Sequence, residues 1–249
     1  MGYAFTYPIA KKLFGCKVLA YVHYPTISSD MLTKVQERRP GFNNDKIIAK
    51  NIVMVNSTWT KGHIDQLWGV NGNIIYPPCD TDSLSKLPLD GRERIIVSIA
   101  QFRDHQDFRE GSGKVKLVLI GSSRNLADES RIEALKEKEN VKFEVNADFN
   151  TLVDWLSKAK VGLHTMWNEH FGIGGPKMDI VIPYNDKTTG GFLANNEENF
   201  AKELYKVFSL SEFEYNNIQI NARECAVKKF SEQIFENSIL TILKPILDH

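Results

Sequence analysis

Lys160-Val161-Gly162-Leu163-His164-Thr165-Met166-Trp167-Asn168-Glu169-His170-Phe171-Gly172-Ile173-Gly174 reads as a strand, Lys160 to Thr165, that empties into a loop. The loop gathers histidine, asparagine and glutamate between small or apolar pivots. In open α/β sheets ligands bind beyond the carboxyl ends of the strands. This stretch therefore predicts a parallel sheet and puts a candidate ligand site at its edge.

Working outward, strand-like and helix-like runs alternate, which is the pattern of a parallel sheet. Lys17 to Val22 reads as a buried strand that ends in the loop His23-Tyr24-Pro25-Thr26. Ile27 to Arg39 has helical character and stops at Pro40-Gly41. Ile52 to Val55 is a second strand. Asn56-Ser57 then caps a helix running to Trp68, with Trp59, Ile64, Leu67 and Trp68 on one face. Asn73 to Tyr76 is a third strand, broken by Pro77-Pro78.

Asp80 to Arg92 is polar and loop-like, and a domain boundary is expected near residue 90. This gives a partial first domain over 1–90 and a second over 91–249. In the second, Arg94 to Ala100, Val115 to Ile120, Val141 to Val145 and Lys160 to Thr165 read as strands. Asp128 to Glu139 is a helix, Asp148 caps another that carries Leu152, Trp155 and Leu156, and Gly190 to Ala194 is a short strand. Three helices, at about 197–208, 211–229 and 231–246, close the chain.

Two connections read as joints where something is absent. Parallel neighbours need a crossover of about a dozen or more residues, usually a helix. Phe102 to Gly113 has only two phenylalanines as apolar residues, so it offers no apolar stripe to a sheet. Gly174-Gly175-Pro176-Lys177 stands where the Glu169 loop should open a helix.

Composition narrows the function classes. The 249 residues carry 31 basic and 31 acidic side chains, so no electrostatic footprint for nucleic acid is present. Three separated cysteines, Cys16, Cys79 and Cys225, form no C-x-x-C and suggest no disulfide framework. The first residues lack the charged lead and long apolar core of a secretory signal. No apolar run approaches the roughly 20 residues that span a bilayer. On these grounds the chain is expected to be soluble or peripheral.

Several motifs, taken in order, resemble the eukaryotic GDP-mannose:dolichol-linked oligosaccharide α-1,2-mannosyltransferases. They are His23-Tyr24-Pro25-Thr26-Ile27-Ser28, Asp30-Met31-Leu32, Gly41-Phe42-Asn43-Asn44, Val53 through Thr60, Tyr76-Pro77-Pro78-Cys79-Asp80, Gln101-Phe102-Arg103, and His164 through Gly174. The resemblance covers nearly the whole chain. It implies an α/β fold of the GT-B type, two Rossmann-like domains with the N-terminal one incomplete. The acceptor would sit mainly on the first domain, the donor nucleotide on the second, with chemistry in the cleft. It also implies retaining transfer of mannose from GDP-mannose to a dolichol-pyrophosphate-linked oligosaccharide, on the cytosolic face of the endoplasmic reticulum membrane. No metal and no cofactor are implied. The membrane surface and other mannosyltransferases of the pathway are the implied partners.

By the same resemblance, residue by residue, His23 faces the donor sugar and Arg103 contacts the donor diphosphate through charge-assisted hydrogen bonds. Glu169 matches the first glutamate of an E-x7-E motif and contacts the transferred sugar. Phe171, Gly172, Ile173 and Gly174 match the turn whose backbone approaches the donor. Trp59 and Trp167 read as packing residues in preference to sugar platforms.

The chain departs from the family at definite places. The second glutamate of the motif, which holds the ribose, would fall at Lys177. The family's Pro-Glu-Lys after Gln101-Phe102-Arg103, whose lysine also grips the diphosphate, is replaced by Asp104-His105-Gln106. Further family sequence is expected between Lys50 and Asn51. Met1 aligns inside the family's N-terminal domain, downstream of its membrane anchor and glycine-rich loop. An alternative expectation is thus a non-catalytic, shortened relative without a complete donor site. A different glycosyltransferase of the same fold, or a small binding module, fits the ordered motifs less well.

Overall fold

The computed structural model describes residues 13–24, 52–99, 115–123, 126–136, 140–165, 176–181 and 190–247. In chain order the elements are β1 (Leu19–Val22), β2 (Ile52–Val55), α1 (Thr58–Trp68), β3 (Asn73–Ile74), α2 (Thr81–Leu84), β4 (Glu93–Ile99), β5 (Lys116–Gly121), α3 (Leu126–Lys136), β6 (Val141–Val145), α4 (Phe149–Lys158), β7 (Ala159–Gly162), α5 (Pro176–Val181), α6 (Glu197–Ser209), α7 (Glu212–Phe230) and α8 (Glu232–Leu247). They fall into two compact units. The first comprises Met1–Thr81, Asn168–Ile182 and Cys225–His249; the second comprises Asp82–Trp167 and Pro183–Glu224.

The first unit holds a parallel sheet in the order β1-β2-β3. Leu19 pairs with Ile52, and Val22 with Val55. Val53 and Val55 pack on Ile64 of α1, and Val55 and Ile64 are fully buried. The apolar run Ile52-Val53-Met54-Val55, β-branched at three of its four positions, suits a strand covered on both faces. Ser57 stops it and caps α1, its hydroxyl accepting from Thr60 N–H. The helix ends at Gly69, whose φ of 65° is left-handed and whose N–H returns to Asp65 O; glycine takes that conformation without strain.

The inward face of α1 differs from the sequence expectation. Thr60, His63, Ile64 and Leu67 are buried, while Trp59 and Trp68 are half-buried. Thr60 and His63 find partners within the structure, so small polar groups occupy the interior and the large indoles border it.

The second unit holds four parallel strands in the order β6-β5-β4-β7. From β4 the chain moves outward through β5 and β6, then crosses back to place β7 on the other side. Its main core is Ile95, Val97, Val118, Ile120, Trp155 and Ala159, with Leu152 and Leu156 of α4 packed against it. Asp148 caps α4 as expected, its carboxylate accepting from Thr151 N–H at 2.7 Å. Ser211 and Glu214 form a reciprocal capping box at the start of α7, with Ser211 N–H donating to Glu214 and Glu214 N–H to the Ser211 hydroxyl.

Three expectations change. A single boundary near residue 90, with 91–249 in one domain, is replaced by a partition at Thr81 in which Asn168–Ile182 and Cys225–His249 join the first unit. Hydrogen bonds explain this: Thr58 N–H reaches Asp179, and Cys79 N–H reaches Phe230 O. Residues 190–194 form no strand. A side chain at Gly190 would meet the Ala222 backbone of α7 at 3.2 Å, so the glycine serves a close approach to a helix. Finally, the polar 80–92 stretch includes the short helix α2.

The predicted Ile27–Arg39 helix, the 50–51 junction and the Phe102–Gly113 joint lie outside the described residues. Pro176, at the second joint, opens α5. Proline suits a first helical position because its absent N–H would have no helical partner there.

Candidate functional site

His23 is the first residue beyond β1, at the carboxyl end of the first unit's sheet. Its side chain is exposed, and its ring stands edge-on to Tyr21 at 4.6 Å between centroids. Tyr21 is itself fixed, its hydroxyl donating to Ile75 O at 2.8 Å. Burial pushes the Tyr21 phenol up to about 12, so it stays a hydrogen-bond donor at neutral pH.

The main chain around His23 is tied to β2 and α1. Asn56 N–H donates to Val22 O at 3.3 Å, and the Thr60 hydroxyl donates to His23 O at 3.4 Å. Next along the chain, the Tyr24 ring lies parallel to Trp59 at 5.8 Å, and Trp59 meets His63 edge-on at 4.1 Å. Trp59 therefore stands between two rings, in keeping with the packing role read from the sequence.

A helix N-terminus carries unpaired N–H groups and is a ready anion site. Here part of α1's is occupied from within. One Asp179 oxygen accepts from Thr58 N–H and from the Thr58 hydroxyl, both at 2.9 Å. The other accepts from the Tyr76 hydroxyl at 3.0 Å. Asp179 is 4% exposed. Burial, with the adjacent carboxylate, pushes the Tyr76 phenol far above its ordinary value. Sequence reasoning missed both residues. The Asn56-Ser57 cap was legible, but nothing in the sequence links Thr58 to a carboxylate 121 positions away.

In the second unit, the strand order reverses at β4, which lies between β5 and β7. Such a switch point is where an open α/β sheet presents a crevice beyond its strand ends. In sequence Arg103 follows β4, and Glu169 follows β7. These two strands are paired neighbours, with Val97 opposite Gly162. Arg103, Glu169, Phe171, Gly172, Ile173 and Gly174 themselves lie outside the described residues, as does Lys177's side chain. Of the candidate residues the structure places His23.

The chain matches the family model described as ALG11 mannosyltransferase N-terminus over residues 1–53. Over 318 aligned residues it is 39% identical to a mouse GDP-Man:Man(3)GlcNAc(2)-PP-Dol alpha-1,2-mannosyltransferase, covering 99% of this chain and 64% of that enzyme. Over nearly its whole length the chain is similar to these mannosyltransferases. It spans under two thirds of the relative's length. The aligned stretch is also longer than the 249-residue chain, so the mouse enzyme carries internal residues with no counterpart here.

Solved structures agree on the fold. TarM superposes with a TM-score of 0.60 at 16% identity, covering 94% of this chain and 53% of that one. The catalytic domain of Arabidopsis starch synthase IV, bound to ADP and acarbose, superposes with a TM-score of 0.58 at 14% identity, covering 95% and 71%. The fold is α/β with parallel sheets, of the GT-B kind expected from the sequence.

Proposed function

We propose that this chain transfers mannose from GDP-mannose, in α-1,2 linkage, to the dolichol-pyrophosphate-linked oligosaccharide precursor of N-glycans. The observation that carries the reading is the 39% identity to the mouse enzyme over 99% of the chain. The relatives' shared activity favours a transferase over a non-catalytic relative. The unit bearing β1 to β3 takes the acceptor side, and the unit bearing β4 to β7 takes the donor nucleotide.

In this reading Arg103 steadies the diphosphate, a role suited to a guanidinium because paired N–H donors match phosphate oxygens. Glu169 and His23 position the mannose, and the 171–174 turn brings backbone close to the donor. The acceptor hydroxyl attacks the anomeric carbon from the face that GDP leaves. The bond from that carbon to the β-phosphate oxygen breaks, the new glycosidic bond forms, and the hydroxyl proton passes to the departing diphosphate. Stabilising that leaving anion is the main electrostatic task.

The reading also puts the chain at the cytosolic face of the endoplasmic reticulum membrane. Among the described residues no helix is long and apolar enough to cross a membrane.

The test begins with a thermal melt, with and without millimolar GDP-mannose, read by tryptophan fluorescence. A ligand that binds only the native state raises the midpoint. Transfer to a lipid-linked acceptor is then measured with radiolabelled donor. A cooperative transition unmoved by GDP-mannose, with no transfer, would reject the proposal.

A further inference from the structure

We infer that Asp179 is a positioning residue for His23, acting through the first turn of α1; the inference rests on the reading that His23 faces the donor sugar. Asp179 belongs to α5, far from His23 in sequence, yet both are tied to the first turn of α1, Asp179 at Thr58 and His23 at Thr60. Thr58 gives its N–H and its hydroxyl to the Asp179 carboxylate, each at 2.9 Å. Trp59 stacks on Tyr24, which follows His23 directly. Thr60 donates its hydroxyl to His23 O.

Between them lies a buried polar network. Ser57 and Thr60 are fully buried, and Asn56 nearly so. The Ser57 hydroxyl lies 3.0 Å from Thr60 Oγ1 and accepts from Thr60 N–H at 3.1 Å. A buried carboxylate is costly unless its oxygens are satisfied. This one is satisfied by donors from α1 and from Tyr76, just beyond β3. Its main chain is held as well, with Lys229 Nζ donating to Asp179 O at 2.7 Å. Asp179 thus joins α5 to the helix start from which His23 is suspended. If the carboxylate is lost, the N-terminal turn of α1 is freed to shift, and the His23 loop moves with it.

The experiment compares GDP with GDP-mannose, because His23 acts on the sugar and leaves the nucleotide alone. Affinities for both are measured by titration calorimetry on the full chain, for wild type, His23→Ala, Asp179→Asn, the double variant and Thr58→Ala. The expected result is that Asp179→Asn weakens GDP-mannose binding about threefold to tenfold while GDP binding stays put. The double variant should be no weaker than His23→Ala, the non-additivity of residues acting as one unit. Thr58→Ala, which removes one of the three hydrogen bonds, should show the same pattern at smaller amplitude, and it answers the question if Asp179→Asn does not fold. Unchanged GDP-mannose affinity, equal losses for GDP and GDP-mannose, or simple additivity with His23→Ala would each overturn the inference. If wild type does not distinguish GDP-mannose from GDP, the donor-sugar reading of His23 fails first, and the inference falls with it.

Discussion

The Tyr215 hydroxyl of α7 donates to the main-chain carbonyl of Lys160 on β7 at 2.7 Å. β7 is one of the two outer strands of the second unit's sheet, and an outer strand exposes unpaired backbone groups that invite foreign strands. Here side chains cover part of that edge. Arg92 donates to Ala159 O at the start of β7 and to Leu156 O near the end of α4. Burial pushes the Tyr215 phenol up, which keeps it a donor.

Tyr215→Phe leaves Lys160 O without this donor while preserving the ring. The expected loss is about 1 kcal/mol, the net worth of one such hydrogen bond. Chemical denaturation should show a lower midpoint with an unchanged slope. A midpoint equal to wild type would mean that water replaces the hydroxyl at no cost.

Ile64 is fully buried between α1 and β2. Ile64→Ala should cost about 2–5 kcal/mol, from lost transfer energy plus the cavity left behind. That is a large fraction of a domain's stability, so the first unit should melt separately and earlier. A loss below about 1 kcal/mol would show that this core collapses freely around the gap.

Trp155 anchors the second unit's core and donates Nε1–H to Glu144 at 2.9 Å. Lys142 and Lys116 lie over its ring at 4.7 and 5.0 Å. Trp155→Phe keeps an aromatic body but drops the hydrogen bond and much of the face the lysines cover. We expect a loss of about 1–2 kcal/mol, against about 3–5 kcal/mol for Trp155→Ala. Equal losses in the two variants would mean that the ring volume contributes nothing.

Three carboxyl groups ionise more readily in the fold than in the unfolded chain. A hydrogen bond from Lys142 lowers Glu144, the Thr151 backbone N–H lowers Asp148, and the Ser211 hydroxyl lowers Glu214. Unfolding therefore takes up protons in acid. Their stabilising contribution is complete above about pH 5 and fades as pH falls through the depressed folded values. Glu144→Gln combined with Asp148→Asn should flatten the dependence of the melting temperature on pH below about 5. An unaltered slope would mean that these groups titrate alike in both states.

Arg103→Ala should weaken GDP binding more than tenfold if the charge-assisted bonds to the diphosphate form. Calorimetric titration with GDP checks this. An unchanged dissociation constant would remove Arg103 from the donor site.

Much of the fold was legible in the sequence because its signals are local. Asn56-Ser57 and Asp148 announced their helices, and Val141 to Val145 read correctly to the residue. The closing helices, too, fell within a residue or so of their bounds. Where reading failed, a distant partner decided the outcome. Gly190-Gly191-Phe192-Leu193-Ala194 looks like a strand, but Gly190 lies against Ala222 of a helix. Trp59 looked like an inward residue, but Tyr24 and His63 hold it at the border of the core.

The sequence by itself determined the resemblance to these mannosyltransferases, the parallel α/β class and the position of His23 at a strand exit. Each rests on ordered motifs or on residues a few positions apart, where capping and periodicity act. The tertiary structure alone decided that Asn168–Ile182 and Cys225–His249 group with the first unit, and that Asp179 caps α1 beside Tyr76. Those outcomes depend on which buried polar groups find partners across more than a hundred residues. That is a matter of three-dimensional hydrogen-bond satisfaction, which no local pattern encodes.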